Sequence, residues 1–169
     1  AKVAHVVYTS LVRPEAGSPV LLSEDHRLTE EALAASGMHV TVLRNNLYVE
    51  NLLMALPHAL STGVLASATG TGAAAYVLRD DCARAAASVL GGKHAKRGVF
   101  DITGSVALTH AQIAALLSRA SGRSVTAKEV PVAQVAAAYA GMGLPPAAAT
   151  ELASIDLGIA QGWFAAVSH

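Results

Sequence analysis

The chain has 169 residues, of which 53% are hydrophobic and 14% are charged, and its formal net charge is zero. That composition can bury a sizeable core and excludes an intrinsically disordered segment. The balanced charge gives no attraction to nucleic acid or to an anionic membrane. The densest group of basic residues is the loose turn GGKHAKRG at residues 91–98. We therefore expect no nucleic-acid partner.

A single cysteine, Cys82, excludes an intrachain disulfide. This usage suits a reducing compartment, and we expect a cytoplasmic protein. No apolar run is long enough to cross a bilayer and no signal peptide is visible, so we expect no membrane partner. The histidines and the cysteine show none of the spacings typical of metal sites, and we expect no metal.

The first part of the chain alternates strand and helix. The β-branched run Val3–Thr9 predicts a strand buried on both faces, and HVTVL at His39–Leu43 predicts a second one. Between them, Ser23 is the predicted N-cap of a helix that runs to about Ser36 and is stopped by Gly37. Strand, helix and strand in this order form a βαβ unit, which implies parallel pairing with a right-handed crossover.

Shorter elements are predicted next. A loop follows the second strand and leads into a helix that closes near Pro57. Weak strands are predicted at Val64–Ala68 and Ala74–Val77. The GTG between them, Gly70–Gly72, is better explained as a turn than as a phosphate loop, because the third glycine of that motif is missing.

The last part is rich in helices. Asp80 or Asp81 is the predicted cap of a helix that ends at Gly91. Thr109 and Gln112 form a T-x-x-Q capping box at the head of another helix. Two alanine-rich helices, split by GMGLPP, close the chain. Two further strands are predicted, at Val99–Thr103 and Ser124–Val130.

Polar side chains follow the first two predicted strands. In an open α/β sheet, ligands bind beyond the carboxyl ends of the strands. We therefore expect these side chains to line a polar pocket, although loop polarity and helix capping would also account for them. The set comprises Tyr8, Thr9, Ser10, Arg44, Asn45, Asn46, Tyr48, Glu50 and Asn51.

His26 lies in the first helix, one turn after the predicted N-cap. It could face the pocket as a proton donor or bind a ribose hydroxyl, because histidine titrates in the right range. On the residues alone, an exposed helix position beside Arg27 explains it better.

Several blocks of the chain resemble the NmrA-like branch of the atypical short-chain dehydrogenases/reductases. Within that branch the likeness is greatest to the bacterial NAD(P)H:quinone oxidoreductases of type 2. It covers nearly the whole chain and is most specific from Glu24 to Leu52. The blocks are YTSL, EDHRLTEEALAASGMHVTVLRNNLYVENLL, GTGAAAYVLRDDCARAAASVL, GVFDITGSVALTHAQIAALLSRASGR and GMGLPP.

The resemblance implies an α/β fold: part of a Rossmann-like, doubly wound parallel sheet with a smaller, helix-rich C-terminal substrate domain. Residues 1–63 would hold late strands and helices of the Rossmann domain. Residues 64–169 would complete the sheet edge and form the substrate domain. The first Rossmann half, whose glycine-rich turn grips the cofactor pyrophosphate, would be absent from this chain. We therefore expect the isolated chain to bind a dinucleotide weakly or not at all.

The resemblance also implies roles for individual residues. In typical relatives a serine or threonine at this strand end, and a Tyr-x-x-x-Lys on the next helix, carry out the proton chemistry. Ser10 matches the strand end and His26 stands where the relatives carry the lysine, so both are predicted catalytic residues. Leu22 replaces the tyrosine, which puts the usual Tyr–Lys relay in doubt. Asn45 and Tyr48 are the predicted substrate-binding residues. The predicted cofactor-binding residues are Tyr8, Thr9, Ser10, His26 and Asn45.

The implied activity is transfer of hydride from NADPH, or possibly NADH, to a quinone or another small electrophile, and the chain would be a fragment of such an enzyme. Solvent can protonate the quinol oxygens, so the missing tyrosine need not prevent turnover. One alternative is an NmrA-like regulatory protein that senses dinucleotide without turnover. Another is an orphan half-domain held together by self-association. Because a half-sheet exposes a strand edge, we expect a homo-oligomer.

Overall fold

The structure is a computed structural model that describes residue 3, residues 5–92 and residues 97–168. Strands and helices alternate through much of these ranges. The strands are His5–Leu11 (β1), His39–Asn45 (β2), Val64–Ser67 (β3), Ala73–Ala74 (β4), Gly98–Ile102 (β5), Leu108–Thr109 (β6) and Thr126–Glu129 (β7). The helices are Leu22–Ala35 (α1), Val49–Leu52 (α2), Leu56–Thr62 (α3), Arg79–Leu90 (α4), His110–Ser121 (α5), Val132–Gly141 (α6) and Pro146–Ala160 (α7).

A parallel sheet with the strand order β1-β2-β5 positions the predicted site. His5 pairs with His39, and Leu11 pairs with Asn45, so β1 and β2 end at the same level. On the other side of β2, Asn45 pairs with Ile102. The predicted βαβ unit is confirmed, because α1 connects two parallel neighbours.

The remaining strands form two small sheets among the C-terminal helices. Strand β3 pairs with β7 in parallel, and β4 pairs with β6 antiparallel. One apolar cluster surrounds Leu65 and Ile113, and a second surrounds Ile159 and Phe164. The second cluster includes Val12 from the loop after β1, so the C-terminal segment packs against the carboxyl end of the parallel sheet. None of the helices in the described part of the chain is both long and apolar enough to cross a membrane.

Both long strands run further than the sequence pattern predicts. Strand β1 begins at His5 and continues to Leu11, and β2 continues to Asn45. Ser10 and Asn45 are therefore strand residues, because ladder pairing continues past the apolar runs. The backbone N–H of Val12 extends this pairing, donating to the Asn45 carbonyl at 3.1 Å.

Two helix boundaries predicted from the sequence are wrong. Helix α1 begins at Leu22, and the predicted cap Ser23 is buried within its first turn. The Ser23 hydroxyl lies 3.1 Å from that of Ser18 instead of capping the helix. Pro57 lies in the first turn of α3 and does not close a helix. Proline is tolerated there because the first-turn N–H groups need no partner within the helix.

Other local predictions are confirmed. The Thr109–Gln112 capping box is present, with Thr109 accepting from the Gln112 N–H at 3.2 Å. The alanine-rich helices correspond to α6 and α7, on either side of GMGLPP.

The predicted cap of α4 is wrong, because Asp80 and Asp81 lie inside the first turn of that helix and both pair with Arg84. Residues 93–96 of the GGKHAKRG turn lie outside the described residues.

The GTG segment is a turn, as predicted, and its last glycine is needed for packing. A Cβ added at Gly72 would lie 2.1 Å from the carbonyl oxygen of Ile159 in α7. That separation is far below van der Waals contact, so only glycine lets the β3–β4 connection approach α7 this closely.

Candidate active site

The pleat of the sheet divides the predicted site residues between its two faces. Neighbouring residues of a strand point to opposite faces, and residues paired across a parallel ladder point to the same face. Tyr8 and Ser10 therefore share a face with Arg44, the partner of Ser10. Thr9 and Asn45 line a common cleft on the other face. The structure thus forms two clusters where the sequence predicts one pocket.

On the α1 face, Ser10 belongs to a buried polar network. Its hydroxyl donates to Glu30 Oε1 at 2.6 Å. Arg44 grips the same carboxylate with two donors, Nε to Oε1 at 3.0 Å and Nη2 to Oε2 at 2.7 Å. Burial acts to raise the pKa of Glu30, but the hydrogen bonds from Arg44 and Ser10 outweigh it and hold the pKa below its ordinary value. Ser10 therefore stabilises an ionised carboxylate, and its catalytic role stays a prediction.

Tyr8 and His26 form a hydrogen-bonded pair beside this network. The Tyr8 hydroxyl lies 2.8 Å from His26 Nδ1. Burial lowers the pKa of His26, against the opposing charges of Glu30 and Asp25. A neutral imidazole can accept the tyrosine proton at Nδ1, so the pair has the composition of a short proton relay. His26 is thus half-buried and paired, in contrast to the exposed helix position that the residues alone favoured.

On the α4 face, Asn45 has an unsatisfied buried acceptor. The side chain is 4% exposed, and its Nδ2 donates to the Tyr48 hydroxyl at 3.0 Å. Asn45 Oδ1 has no hydrogen-bond partner. Among the described residues, it is the only buried side-chain oxygen or nitrogen that lacks one. Such an atom costs roughly 1–3 kcal/mol. It therefore marks a place where a ligand with an N–H donor would be stabilised.

A cleft of about 310 Å³ opens beside Asn45. Its wall includes Thr9, Tyr48 and Arg79. The Arg79 guanidinium lies 5.1 Å from the centre of the Tyr48 ring and donates to Asn51 Oδ1 at 3.1 Å. The predicted cofactor- and substrate-binding residues Thr9, Asn45 and Tyr48 are therefore brought together, whereas Tyr8, Ser10 and His26 are not part of this cleft.

Cys82, on α4, also lines the cleft. The residue is 6% exposed, and burial raises the pKa of its thiol to about 11, with the charges of Asp81 and Glu50 adding to the effect. The thiol is therefore un-ionised at neutral pH and is a poor nucleophile.

A second cavity, of about 130 Å³, lies among α2, β3, α6 and α7. Four titratable side chains line it: Tyr76, His110, Tyr139 and Asp156. These four residues come from separate elements and form no sequence motif, so the sequence alone does not predict this cluster. No group of three histidine, cysteine, aspartate or glutamate side chains suited to a metal ion occurs in residues 3, 5–92 and 97–168.

No protein-family model matches the chain. Quinone oxidoreductase 2 of Escherichia coli strain K12 is 40% identical over 162 residues, which are 96% of this chain and 56% of the relative. The crystal structure of the E. coli enzyme complexed with NADPH matches with a TM-score of 0.85 and 39% identity, over 96% of this chain and 57% of the other.

Two further structures share the fold. Citrobacter sp. triphenylmethane reductase complexed with NADP(H) has a TM-score of 0.82 at 26% identity, covering 98% of this chain and 58% of its own. A mutant of NmrA has a TM-score of 0.65 at 16% identity, covering 94% of this chain and 51% of the other, which shows the fold alone.

The predicted α/β, Rossmann-like class and the resemblance to the type 2 quinone oxidoreductases are confirmed by these matches, whereas the likeness to NmrA is one of fold. The chain spans a little more than half of the length of the relatives that it matches. It is thus a homologue of E. coli quinone oxidoreductase 2, matched over a little more than half of that protein.

Proposed function

We propose that this chain is part of an NAD(P)H-dependent oxidoreductase that transfers hydride to a quinone, with NADPH as the donor. The observation that carries the proposal is the cleft beside Asn45 at the carboxyl end of the parallel sheet. It occurs in a chain 40% identical to a quinone oxidoreductase. Ligands of open α/β sheets bind at this end.

The residues of the cleft suit the nicotinamide end of a dinucleotide. Asn45 Oδ1 is an acceptor without a donor, and a carboxamide supplies such a donor. Tyr48, with Arg79 over its ring, offers a flat surface against which an aromatic ring can pack. When bound, NADPH supplies the hydride. The protein's task is then to align the donor and acceptor rings and to exclude water from between them.

Tyr8 and His26 form a hydrogen-bonded pair on the opposite face of the sheet from this cleft. The catalytic role of His26 stays part of the proposal and requires a ligand that reaches the α1 face. Ser10 donates to Glu30, so we assign it a positioning role first and a catalytic role second. The division into residues 1–63 and 64–169 stays part of the proposal, as do a cytoplasmic location, homo-oligomerisation and the lack of nucleic-acid or membrane partners.

The test compares two proteins: the chain alone, and the chain fused to the part of E. coli quinone oxidoreductase 2 that its match leaves out. We expect the chain alone to bind NADPH weakly or not at all. We expect the fusion to oxidise NADPH, followed by nicotinamide absorbance, only after a quinone is added. Tight NADPH binding without oxidation would favour a dinucleotide sensor and overturn the proposal. Micromolar NADPH binding to the chain alone would contradict the expected weak affinity.

A further inference from the structure

The second cavity has the size and the walls of a site for one small ring. Its volume is about 130 Å³. An apolar cavity of about 150 Å³ is known to hold a benzene molecule. Most of the wall is aliphatic, formed by Leu47, Leu52, Leu65, Val135, Leu152 and Ile155.

The polar groups on the wall have unused hydrogen-bonding capacity. None of the hydrogen bonds of the described residues involves the hydroxyl of Tyr76 or of Tyr139. Asp156 is 9% exposed, and its Oδ2 accepts from the Ala68 N–H at 2.7 Å. Its Oδ1 makes no hydrogen bond within the same residues. Apolar walls with a few convergent polar groups are typical of small-molecule sites.

The titratable side chains on the wall of the second cavity favour an uncharged ligand. Burial raises the pKa of Asp156, and the nearby Glu129 carboxylate on β7 adds to this. Burial also raises the pKa of Tyr76 and of Tyr139, with Asp156 contributing to both. Burial lowers the pKa of His110 on α5, whose Nδ1 lies 3.1 Å from Thr69 Oγ1. The two tyrosine hydroxyls are therefore protonated donors at neutral pH. The largely apolar wall disfavours a charged ligand, because burial penalises a charge.

The cavity reaches the surface next to the cleft of the proposed cofactor site. Its wall includes the exposed residues Asn51 and Met54. Asn51 accepts from Arg79, which lies over the Tyr48 ring in the cleft. Both cavities therefore border the same short segment after β2.

We propose that this cavity binds an uncharged six-membered ring that carries an oxygen acceptor, held by hydrogen bonds from the hydroxyls of Tyr76 and Tyr139. That the ring is a quinone rests on the proposed function. The cavity and its two tyrosine hydroxyls are observed independently of that function.

The test measures direct binding of duroquinone to the full chain by calorimetry, without NADPH. Duroquinone has no unsubstituted ring carbon for a thiol to attack, so Cys82 does not interfere. We expect saturable binding that Tyr139→Phe weakens about five-fold, the effect of one lost hydrogen bond. Binding of p-xylene, which has no oxygen, should not change in that variant. Folding should be preserved, because the Tyr139 hydroxyl has no partner to lose among the described residues.

A size-filling pair of variants locates the site. Val135→Phe should fill the cavity and abolish duroquinone binding, whereas Ala137→Phe on the exposed side of the same helix should not change it. Circular dichroism checks that both variants are folded.

Equal duroquinone affinity in the original chain, Tyr139→Phe and Val135→Phe would overturn the proposal. So would an equal loss of p-xylene and duroquinone affinity in Tyr139→Phe, because it would remove the role of the hydroxyl. If duroquinone binds as expected but the fused protein fails to oxidise NADPH, the proposed function falls and the ring site stands.

Discussion

At the scale of single residues, Asn45 and Asn46 are neighbours with opposite hydrogen-bonding states. Asn45 leaves Oδ1 without a partner, whereas Asn46 forms hydrogen bonds through both its amide nitrogen and its amide oxygen. Asn46 Nδ2 donates to the Phe164 carbonyl at 3.1 Å, and its Oδ1 accepts from the Leu47 N–H at 2.7 Å. The hydrogen bonds of Asn46 fit a structural role. The unpaired Oδ1 of Asn45 fits a role in binding a ligand.

Replacing each asparagine by leucine, which keeps the branching at Cγ but has no polar atoms, separates the two roles. Asn45→Leu should change the free energy of unfolding by less than about 1 kcal/mol, because removal of the unsatisfied Oδ1 offsets the loss of the Nδ2–Tyr48 hydrogen bond. In the fused protein it should weaken NADPH binding about ten-fold, the loss of one good hydrogen bond. Asn46→Leu should cost roughly 2–4 kcal/mol, because two buried backbone groups lose their partners. Urea unfolding and NADPH titration measure both. Strong destabilisation by Asn45→Leu would contradict the assignment.

Glu30 gives a second prediction at this scale. Glu30→Gln should lower the free energy of unfolding by about 1–3 kcal/mol at neutral pH, because Arg44 is left without its carboxylate. The pKa of Glu30 is lowered in the folded chain, so its contribution is complete above the ordinary glutamate pKa of about 4.3 and is lost as the pH falls through the lower folded value. The difference between the two proteins should therefore shrink in acid.

Glu31→Gln is the matched control, one residue further along α1. The Glu31 side chain is 60% exposed and pairs with Arg27 on the surface. Its substitution should have a much smaller effect, because exposed ion pairs contribute little. Equal losses of stability in Glu30→Gln and Glu31→Gln at neutral pH would show that the Glu30 network stabilises the fold no more than a surface ion pair.

The sequence predicts which residues lie at the strand ends, but it cannot assign them to faces. A shift of one residue reverses the direction of every side chain in a strand, and the apolar runs of β1 and β2 lack the alternation of polar and apolar residues that would fix these directions.

The role of Glu30 is not predictable from the sequence for a related reason. Glu30 is an ordinary charged residue in a helix, and only the packing of α1 brings it to Ser10 and Arg44.

At the scale of elements, local signals with a strict geometry predict best. The capping box at Thr109 needs only four consecutive residues, and it is present. Pro57 was misread because proline is compatible with two positions, after a helix or in its first turn. Which one applies depends on where the helix residues pack.

Gly72 supports a prediction about how elements meet. Gly72→Ala should lower the free energy of unfolding by about 2–3 kcal/mol, because its Cβ would press on the α7 backbone at Ile159, which cannot rotate away. Gly141→Ala is the control at the end of α6, where a Cβ meets nothing within 4 Å. It should be neutral or stabilise by up to about 1 kcal/mol. Thermal unfolding of both variants measures this, and a tolerated Gly72→Ala would show that the turn can move.

At the scale of the whole molecule, the two outer strands of the parallel sheet pair on one side only among the described residues. Strands β1 and β5 are the outer members of the order β1-β2-β5. On β5, Val99 is 50% exposed and Phe100 is 40% exposed. An apolar edge strand readily pairs with another chain.

We therefore expect the 169-residue chain to self-associate in sedimentation experiments. Val99→Lys should raise the monomer fraction, because a charge on an edge strand opposes pairing. Leu90→Lys is the control: this leucine is 66% exposed and lies at the end of helix α4, not on a strand. A chain that sediments as a monomer, or a larger effect from Leu90→Lys, would contradict association through β5.

The second cavity marks the limit of sequence reasoning at this scale. Tyr76 follows β4, His110 begins α5, and Tyr139 and Asp156 lie on α6 and α7. Nothing in their spacing relates them, because their proximity depends on how two small sheets and four helices pack together. Such sites can be recognised only once the fold is known.

The rate at which a thiol reagent labels Cys82 can report local opening of the structure around the cleft. Cys82 is the one cysteine in the sequence, and its side chain is buried in the wall of the cleft beside Asn45. Because the side chain is 6% exposed, a thiol reagent should reach it through local opening of the cleft wall, and the labelling rate in native buffer then measures the free energy of that opening. A molecule that occupies the cleft should slow the labelling. The rate therefore follows occupancy without any change in absorbance of the bound molecule.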